Sequence, residues 1–135
     1  MKRSIVATAG LLVSSGLLAD NLHGVDRFLC ATVQIVVCVE EGDCYDVLAS
    51  EADVPEFVVV DVKNKMLSTT KASQANRVTK IGTMSRADGH IYLQGVELGR
   101  AFSFVIDEVS GHATVAVSRD GLTVTVFGSC TSAEI

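Results

Sequence analysis

The sequence predicts an all-β fold, a single antiparallel meander of about eight strands that closes into a small β-barrel. Three observations predict it: short runs rich in Val, Ile, Phe, Tyr and Thr, turn sequences between those runs, and an even number of cysteines. In the C-terminal half, the turns place glycines at positions 89, 99, 111 and 121. Strands of this length and spacing are typical of a β-barrel, and a seven- or eight-stranded β-sandwich is the alternative.

The chain begins with the features of a secretory signal peptide. Met1-Lys2-Arg3 is cationic, residues 4–18 carry no charge, and Ala19 precedes the acidic Asp20. This order is typical of a cleaved signal, and the apolar run is shorter than the ~20 residues that cross a bilayer. We therefore expect residues 1–19 to be removed, no membrane anchor, and one disulfide-stapled domain over residues 20–135 in the periplasm or outside the cell.

The strands follow in order from the start of that domain. Residues 28–39 predict one long strand, and residues 57–63 and 66–70 predict a hairpin around Asn64. Residues 77–86 predict another strand, which Gly82 weakens or bends. The remaining four strands are predicted at residues 90–96, 100–108, 112–118 and 122–129. Eight strands give a barrel that side chains fill or that holds one small ligand.

The four cysteines, Cys30, Cys38, Cys44 and Cys130, predict two disulfides. Cys30 and Cys38 would lie about 26 Å apart on one strand, whereas bridged Cα atoms lie within ~7 Å of each other. A turn-like insert brings Cys38 close to Cys44, which leaves Cys30 for Cys130. In a closed meander the first and last strands are neighbours, so this pairing agrees with the barrel.

Charge and motifs disfavour several function classes. The net charge is −5, and it becomes −7 when Lys2 and Arg3 leave with the signal, so nucleic acid is not expected as a partner. Acidic residues concentrate between positions 28 and 62, and basic residues between positions 62 and 87. We interpret both stretches as solvated surface. The alternatives are docking of the acidic stretch to a basic partner and of the basic stretch to anionic polysaccharide or lipid headgroups.

No catalytic or metal-binding signature is present. The sequence has no Gly-x-Ser-x-Gly elbow, no His-Glu-x-x-His and no Cys-x-x-Cys. The acidic stretch lacks the Asp-x-Asp-x-Asp-Gly arrangement of a calcium loop. We therefore expect no enzyme activity, no cofactor and no metal site.

Arg100 is the candidate ligand-binding residue. It shares strand parity with Phe102, Phe104 and Ile106, so it points to whichever side those apolar residues occupy. If that side is the interior, Arg100 is a buried charge near the barrel mouth and needs a carboxylate or an anionic ligand. We expect Tyr92 and Gln94, on the preceding strand, to flank it. The alternative is a strand-end arginine whose head reaches water.

Two segments, Leu93-Gln94-Gly95-Val96-Glu97-Leu98-Gly99-Arg100-Ala101-Phe102-Ser103 and Phe127-Gly128-Ser129-Cys130-Thr131, resemble a group of exported proteobacterial proteins of no known activity. The resemblance implies a small periplasmic or secreted β-domain. We expect a binding or interaction module of the cell envelope, protein-binding or inhibitor-like. The alternatives are a small-molecule carrier with its ligand in the barrel mouth and, third, an envelope enzyme. The partner, an envelope protein or a small molecule, and the oligomeric state stay open.

Overall fold

Ten β-strands form one antiparallel sheet in the computed structural model, which describes residues 21–132. The predicted signal peptide lies outside these residues, and no helix occurs within them. The prediction of an all-β antiparallel meander is therefore confirmed. The strands are β1 (Arg27–Val39), β2 (Cys44–Val47), β3 (Phe57–Asp61), β4 (Met66–Thr69), β5 (Val78–Lys80), β6 (Thr83–Ala87), β7 (His90–Glu97), β8 (Arg100–Asp107), β9 (His112–Arg119) and β10 (Leu122–Thr131).

The long strand β1 lies near the middle of the sheet. The strand order is β5-β4-β3-β1-β10-β9-β8-β7-β6, and β2 pairs with β1 outside this path. One side of β1 pairs with β10, while the other side pairs first with β3 and then with β2. A bulge between Thr32 and Gln34 accompanies this change of partner. Bulges increase the local twist, which helps the sheet to curl.

The prediction of a closed barrel is wrong, because the sheet curls strongly but forms only a half-barrel. The strand predicted over residues 77–86 is divided: β5 pairs with β4, whereas β6 pairs with β7. The change occurs at two adjacent residues. Ile81 donates its N–H to the carbonyl of Lys65, and Gly82 donates its N–H to the carbonyl of Gln94. Each half of the segment thus has one neighbour, and no ladder joins β5 to β6 or β7.

The strand count also differs from the predicted eight. Division at Ile81-Gly82 adds one strand, and β2 adds another that the sequence pattern does not predict. Strand β2 is a four-residue segment opposite the end of β1, where the Cys38–Cys44 bridge holds it. The described strands all belong to one sheet, so the β-sandwich alternative is not formed either.

Inward side chains of the curled sheet form two apolar clusters along β1. The first contains large residues, among them Phe28, Leu93 and Ile106, and is completed by Leu22, whose side chain is fully buried. The second is built mainly of valines, with members Ile35, Val37, Val115, Val124 and Val126. Fully burying side chains of this size contributes about 1.5–3 kcal/mol each. One end of the half-barrel is thus filled by large side chains and the other is lined by small ones.

Both predicted disulfides are confirmed, Cys30–Cys130 and Cys38–Cys44. Each joins residues that are directly opposite in a strand pair, β1 with β10 and β1 with β2. The first bridge does not depend on barrel closure, because β1 and β10 are neighbours in the interior of the open sheet. The pairing of the first strand with the last, which are not consecutive in the chain, brings these two cysteines together.

Candidate functional site

A cavity of about 170 Å³ lies inside the curled sheet, at the end lined by small side chains. Its apolar wall comes from the inward positions of β8, β9 and β10 and includes Phe102, Phe104, Ala113, Val115, Val117, Val124 and Val126. Gly128 also lies on this wall, and a Cβ added there would come within 2.7 Å of the carbonyl oxygen of Ala31. Close backbone approach therefore keeps this position free of a side chain that could fill the space.

A segment between β2 and β3, residues 48–56, covers the cavity; we call it the covering loop. Ala49, Ala52 and Val54 pack against the valine cluster. Backbone hydrogen bonds from Glu51 and Ala52 to Leu48, and from Val54 to Ala49, give the loop a turn-like core of its own. The loop therefore closes the valine-lined end with short apolar side chains.

Glu97 bridges the gap where the sheet has no backbone ladder. Its carboxylate, at the end of β7, accepts a 2.6 Å hydrogen bond from the Thr79 hydroxyl and a 3.2 Å bond from Arg77 Nη2. Thr79 lies on β5, and Arg77 is the residue directly before that strand. Side-chain contacts thus cross the opening between β5 and β7 beside the cavity.

Burial and charge act in opposite directions on Glu97. Burial raises the pKa of its carboxyl, while the Thr79 hydrogen bond and the cations of Arg77 and Arg100 lower it. Together the hydrogen bonds and the cations outweigh burial, so the pKa of Glu97 lies below the ordinary value of 4.5. Glu97 is therefore an ionised group at neutral pH, and it counters part of the arginine charge around it.

The acidic and basic stretches of the sequence meet at this site. Arg77, from the basic stretch, donates from Nη1 to the backbone carbonyl of Asp53 in the covering loop at 3.0 Å. The Asp53 carboxylate lies 3.7 Å from both Arg77 Nη1 and Arg100 Nη1, but it is 81% exposed. The backbone contact therefore holds the covering loop in place, and the carboxylate contributes little because solvent screens it.

Arg100 points into the half-barrel, as its parity with Phe102 and Ile106 predicts. Its side chain is 17% exposed and lines the cavity. Its nearest anions are Glu97 and Asp53, with N–O distances of 3.7 Å in both cases. These distances exceed hydrogen-bond length, and no residue within 21–132 forms a hydrogen bond with this guanidinium. The charge of Arg100 is therefore only partly countered by its neighbours, and its donors stay available.

Tyr92 and Gln94 do not flank Arg100, so that prediction is wrong. The two-residue turn Leu98-Gly99 pairs Glu97 with Arg100, which places Tyr92 opposite Val105 and Gln94 opposite Ser103. Directly opposite residues share a face of the sheet, so Tyr92 and Gln94 lie on the outer face, where both are exposed. Left-handed φ angles at Leu98 (48°) and Gly99 (75°) identify the tight hairpin turn that sets this register.

Sequence reasoning did not place Glu97, Arg77 or Thr79 at the cavity, and of these three residues it could have found Glu97. Recognising Leu98-Gly99 as a two-residue turn would have placed Glu97 opposite Arg100. Arg77 and Thr79 carry no such local signal, because their position depends on the division of the strand at Ile81-Gly82. The outward positions of β7–β10, by contrast, carry one charged side chain, that of Asp107. A charged ligand would therefore find its partners at the cavity rather than on that face.

The three histidines lie apart from the cavity. His23 Nδ1 lies 2.8 Å from a carboxylate oxygen of Glu108, a side chain that is itself buried, and this contact holds the first described residues against the filled end. His90 Nδ1 contacts the carbonyl of Asp88, and His112 is exposed. Within residues 21–132, no group of three or more His, Cys, Asp or Glu side chains is arranged to hold a metal ion.

Comparison with known proteins gives no assignment. No protein-family model matches the chain, and no curated protein matches it significantly.

Over the described residues, no helix has the length and apolar character required to cross a membrane. The two disulfides indicate an oxidising, extracytoplasmic environment.

Proposed function

We propose that the protein binds and carries a small, largely apolar molecule inside its curled sheet. The observation that supports this role is the cavity of about 170 Å³, which is lined by valine, alanine and phenylalanine side chains and covered on one side by the covering loop. Protein interiors normally pack at crystal-like density and contain few voids larger than a water molecule. A void of this size, beside an arginine with available donors, is a feature that simple core packing does not require.

The volume restricts the size of the ligand. An apolar cavity of about 150 Å³ is large enough to bind benzene, so the cavity suits a molecule, or the buried part of a molecule, of roughly six to eight non-hydrogen atoms. Sites for drug-sized ligands are larger, about 300–1,000 Å³. The cavity also favours the carrier role over the protein-binding or inhibitor-like role expected from the sequence, which requires no internal space.

The proposed setting is the periplasm or the extracellular space. A cationic start followed by an apolar run supports export, and two disulfides would be stable in such a compartment. The proposed role needs no catalytic group. The protein would act as a non-enzymatic carrier or sensor that keeps an apolar molecule out of water.

A titration with neutral apolar probes, monitored by NMR, tests the carrier role. We expect 1-hexanol and benzyl alcohol to cause saturable shifts at amides of β8, β9 and β10 that border the cavity. Val115→Phe should abolish these shifts because the ring occupies the cavity. Ala116→Phe, the next residue along β9 but on the outer face, is the matched control and should leave them intact. Absence of saturable shifts in the wild-type protein would contradict the proposal.

A further inference from the structure

We infer that the preferred ligand is a small apolar monocarboxylate whose acid group binds Arg100. This inference deepens the proposed function and rests on it. The apolar cavity accounts for binding of the apolar part of the ligand. The arginines beside the cavity account for the preference for an acidic head group.

Arg100 lies at the boundary between the apolar wall and the polar end of the cavity. It is followed at successive inward positions of β8 by Phe102 and Phe104, both of which line the cavity. A head group on Arg100 would therefore direct the rest of the molecule along the two phenylalanine rings. These rings contact each other edge-on, with centroids 5.8 Å apart, so this part of the wall is already organised.

The available donors of Arg100 favour a carboxylate in particular. A guanidinium presents its N–H groups as a rigid fork that matches two carboxylate oxygens. The neighbouring arginine, Arg77, already donates to Glu97 and to the Asp53 carbonyl. Among the described residues, Arg100 has only two ion contacts, each with an N–O distance of 3.7 Å. One of them is with the solvent-exposed carboxylate of Asp53. An incoming carboxylate could replace Asp53 beside Arg100 while Arg77 keeps its backbone bond to the covering loop.

The balance of charge around the cavity also selects an anion. The charged residues that line it are Arg77, Arg100 and Arg119 on one side and Asp53 and Glu97 on the other. The cavity lining therefore carries one surplus positive charge, although the whole chain has a net charge of −5. One surplus charge matches a monoanion, and a ligand cation would meet three arginines.

Matched ligand pairs separate the acid preference from simple apolar binding. We would titrate the oxidised protein with hexanoate and benzoate, and with 1-hexanol and benzyl alcohol as neutral partners of the same shape. Each acid should bind at least about tenfold more tightly than its alcohol, because it adds charge-assisted hydrogen bonds. Hexylamine, a cation with the same six-carbon chain, should bind more weakly than both hexanoate and 1-hexanol.

Variants then assign the effect to Arg100. Arg100→Gln should weaken hexanoate and benzoate roughly 10- to 100-fold and leave the two alcohols unchanged. Lys63→Gln, on the exposed β3–β4 turn, also removes one positive charge, but at a position outside the cavity. It should change the affinity for neither the acids nor the alcohols. Equal affinity for acid and alcohol, or equal loss of both in Arg100→Gln, would overturn the carboxylate inference and leave the carrier role standing. Failure of every acid and alcohol to bind would overturn the carrier role itself.

Discussion

The Thr79 hydroxyl donates a 2.6 Å hydrogen bond to the Glu97 carboxylate across the opening between β5 and β7. At this opening no backbone ladder joins the two strands, so a side-chain hydrogen bond connects them instead. Arg77 adds a second bond to the same carboxylate at 3.2 Å. The open half-barrel is thus closed locally by polar side chains, directly beside the apolar cavity.

Glu97→Gln should reduce stability and remove part of its acid sensitivity. The folded-state pKa of Glu97 is below the ordinary 4.5, so the folded protein binds fewer protons there than the unfolded chain. Its contribution is therefore complete above about pH 4.5 and is lost as pH falls through the folded pKa. We expect a loss of about 1–2 kcal/mol at pH 7, shrinking toward zero in acid.

Urea denaturation at a series of pH values measures this effect. Asp61 and Asp107 also have pKa values lowered by hydrogen bonds, chiefly from the backbone N–H groups of Asn64 and Ser110. Both variant and wild type should therefore still lose stability in acid, and only their difference reports on Glu97. A difference that stays constant from pH 7 to pH 3 would contradict the prediction.

Arg77→Ala should destabilise the protein more than Arg100→Ala. Arg77 makes two hydrogen bonds, at 3.0 Å and 3.2 Å, to the covering loop and to Glu97, whereas Arg100 has only 3.7 Å ion contacts. We expect losses of roughly 2 kcal/mol for Arg77→Ala and at most about 1 kcal/mol for Arg100→Ala. Urea denaturation with unchanged slopes gives both values, and the reverse order would show that Arg100 is the main structural residue.

Removal of the two disulfides should have unequal effects. The Cys30–Cys130 bridge closes a separation of 100 residues and the Cys38–Cys44 bridge one of 6. Loop entropy gives about 4.7 and 2.2 kcal/mol respectively. We therefore expect the paired Cys30→Ala, Cys130→Ala variant to have a much lower midpoint in urea than the Cys38→Ala, Cys44→Ala variant. Equal midpoints would show that loop length does not govern these bridges.

Cleavage of the predicted signal peptide should leave a protein that begins at or before Leu22. This side chain is fully buried, and its N–H donates a 2.7 Å hydrogen bond to the backbone carbonyl of Glu108. Cleavage after Ala19 would preserve both features, whereas cleavage beyond Leu22 would open the filled end of the half-barrel. N-terminal sequencing of protein recovered from a bacterial periplasm checks this. A start at His23 or later, in a folded protein, is the contrary result.

Local rules account for the parts of the molecule that the sequence predicted well. Alternation of apolar residues placed Arg100 on the same side as Phe102 and Ile106, because strand side chains alternate with a period of two. The length of the strand kept Cys30 from reaching Cys38, and the turn that follows brought Cys38 to Cys44, which left Cys130 as the partner of Cys30. The expected position of Tyr92 and Gln94 was wrong by one residue of register, because Leu98-Gly99 forms a two-residue hairpin turn that pairs Glu97 with Arg100.

The sequence by itself determined the all-β class, most of the strands, the disulfide pairing and the parity that Arg100 shares with Phe102 and Ile106, since each depends on alternation along one strand, on a local turn or on the pairing of the first strand with the last. Only the tertiary structure decided that the sheet stays open and contains a cavity. Ile81 and Gly82 bond to opposite neighbours, and which neighbours they reach depends on the curl of the whole sheet. The cavity likewise depends on how side chains from distant strands fill one volume, which no periodicity within a single strand encodes.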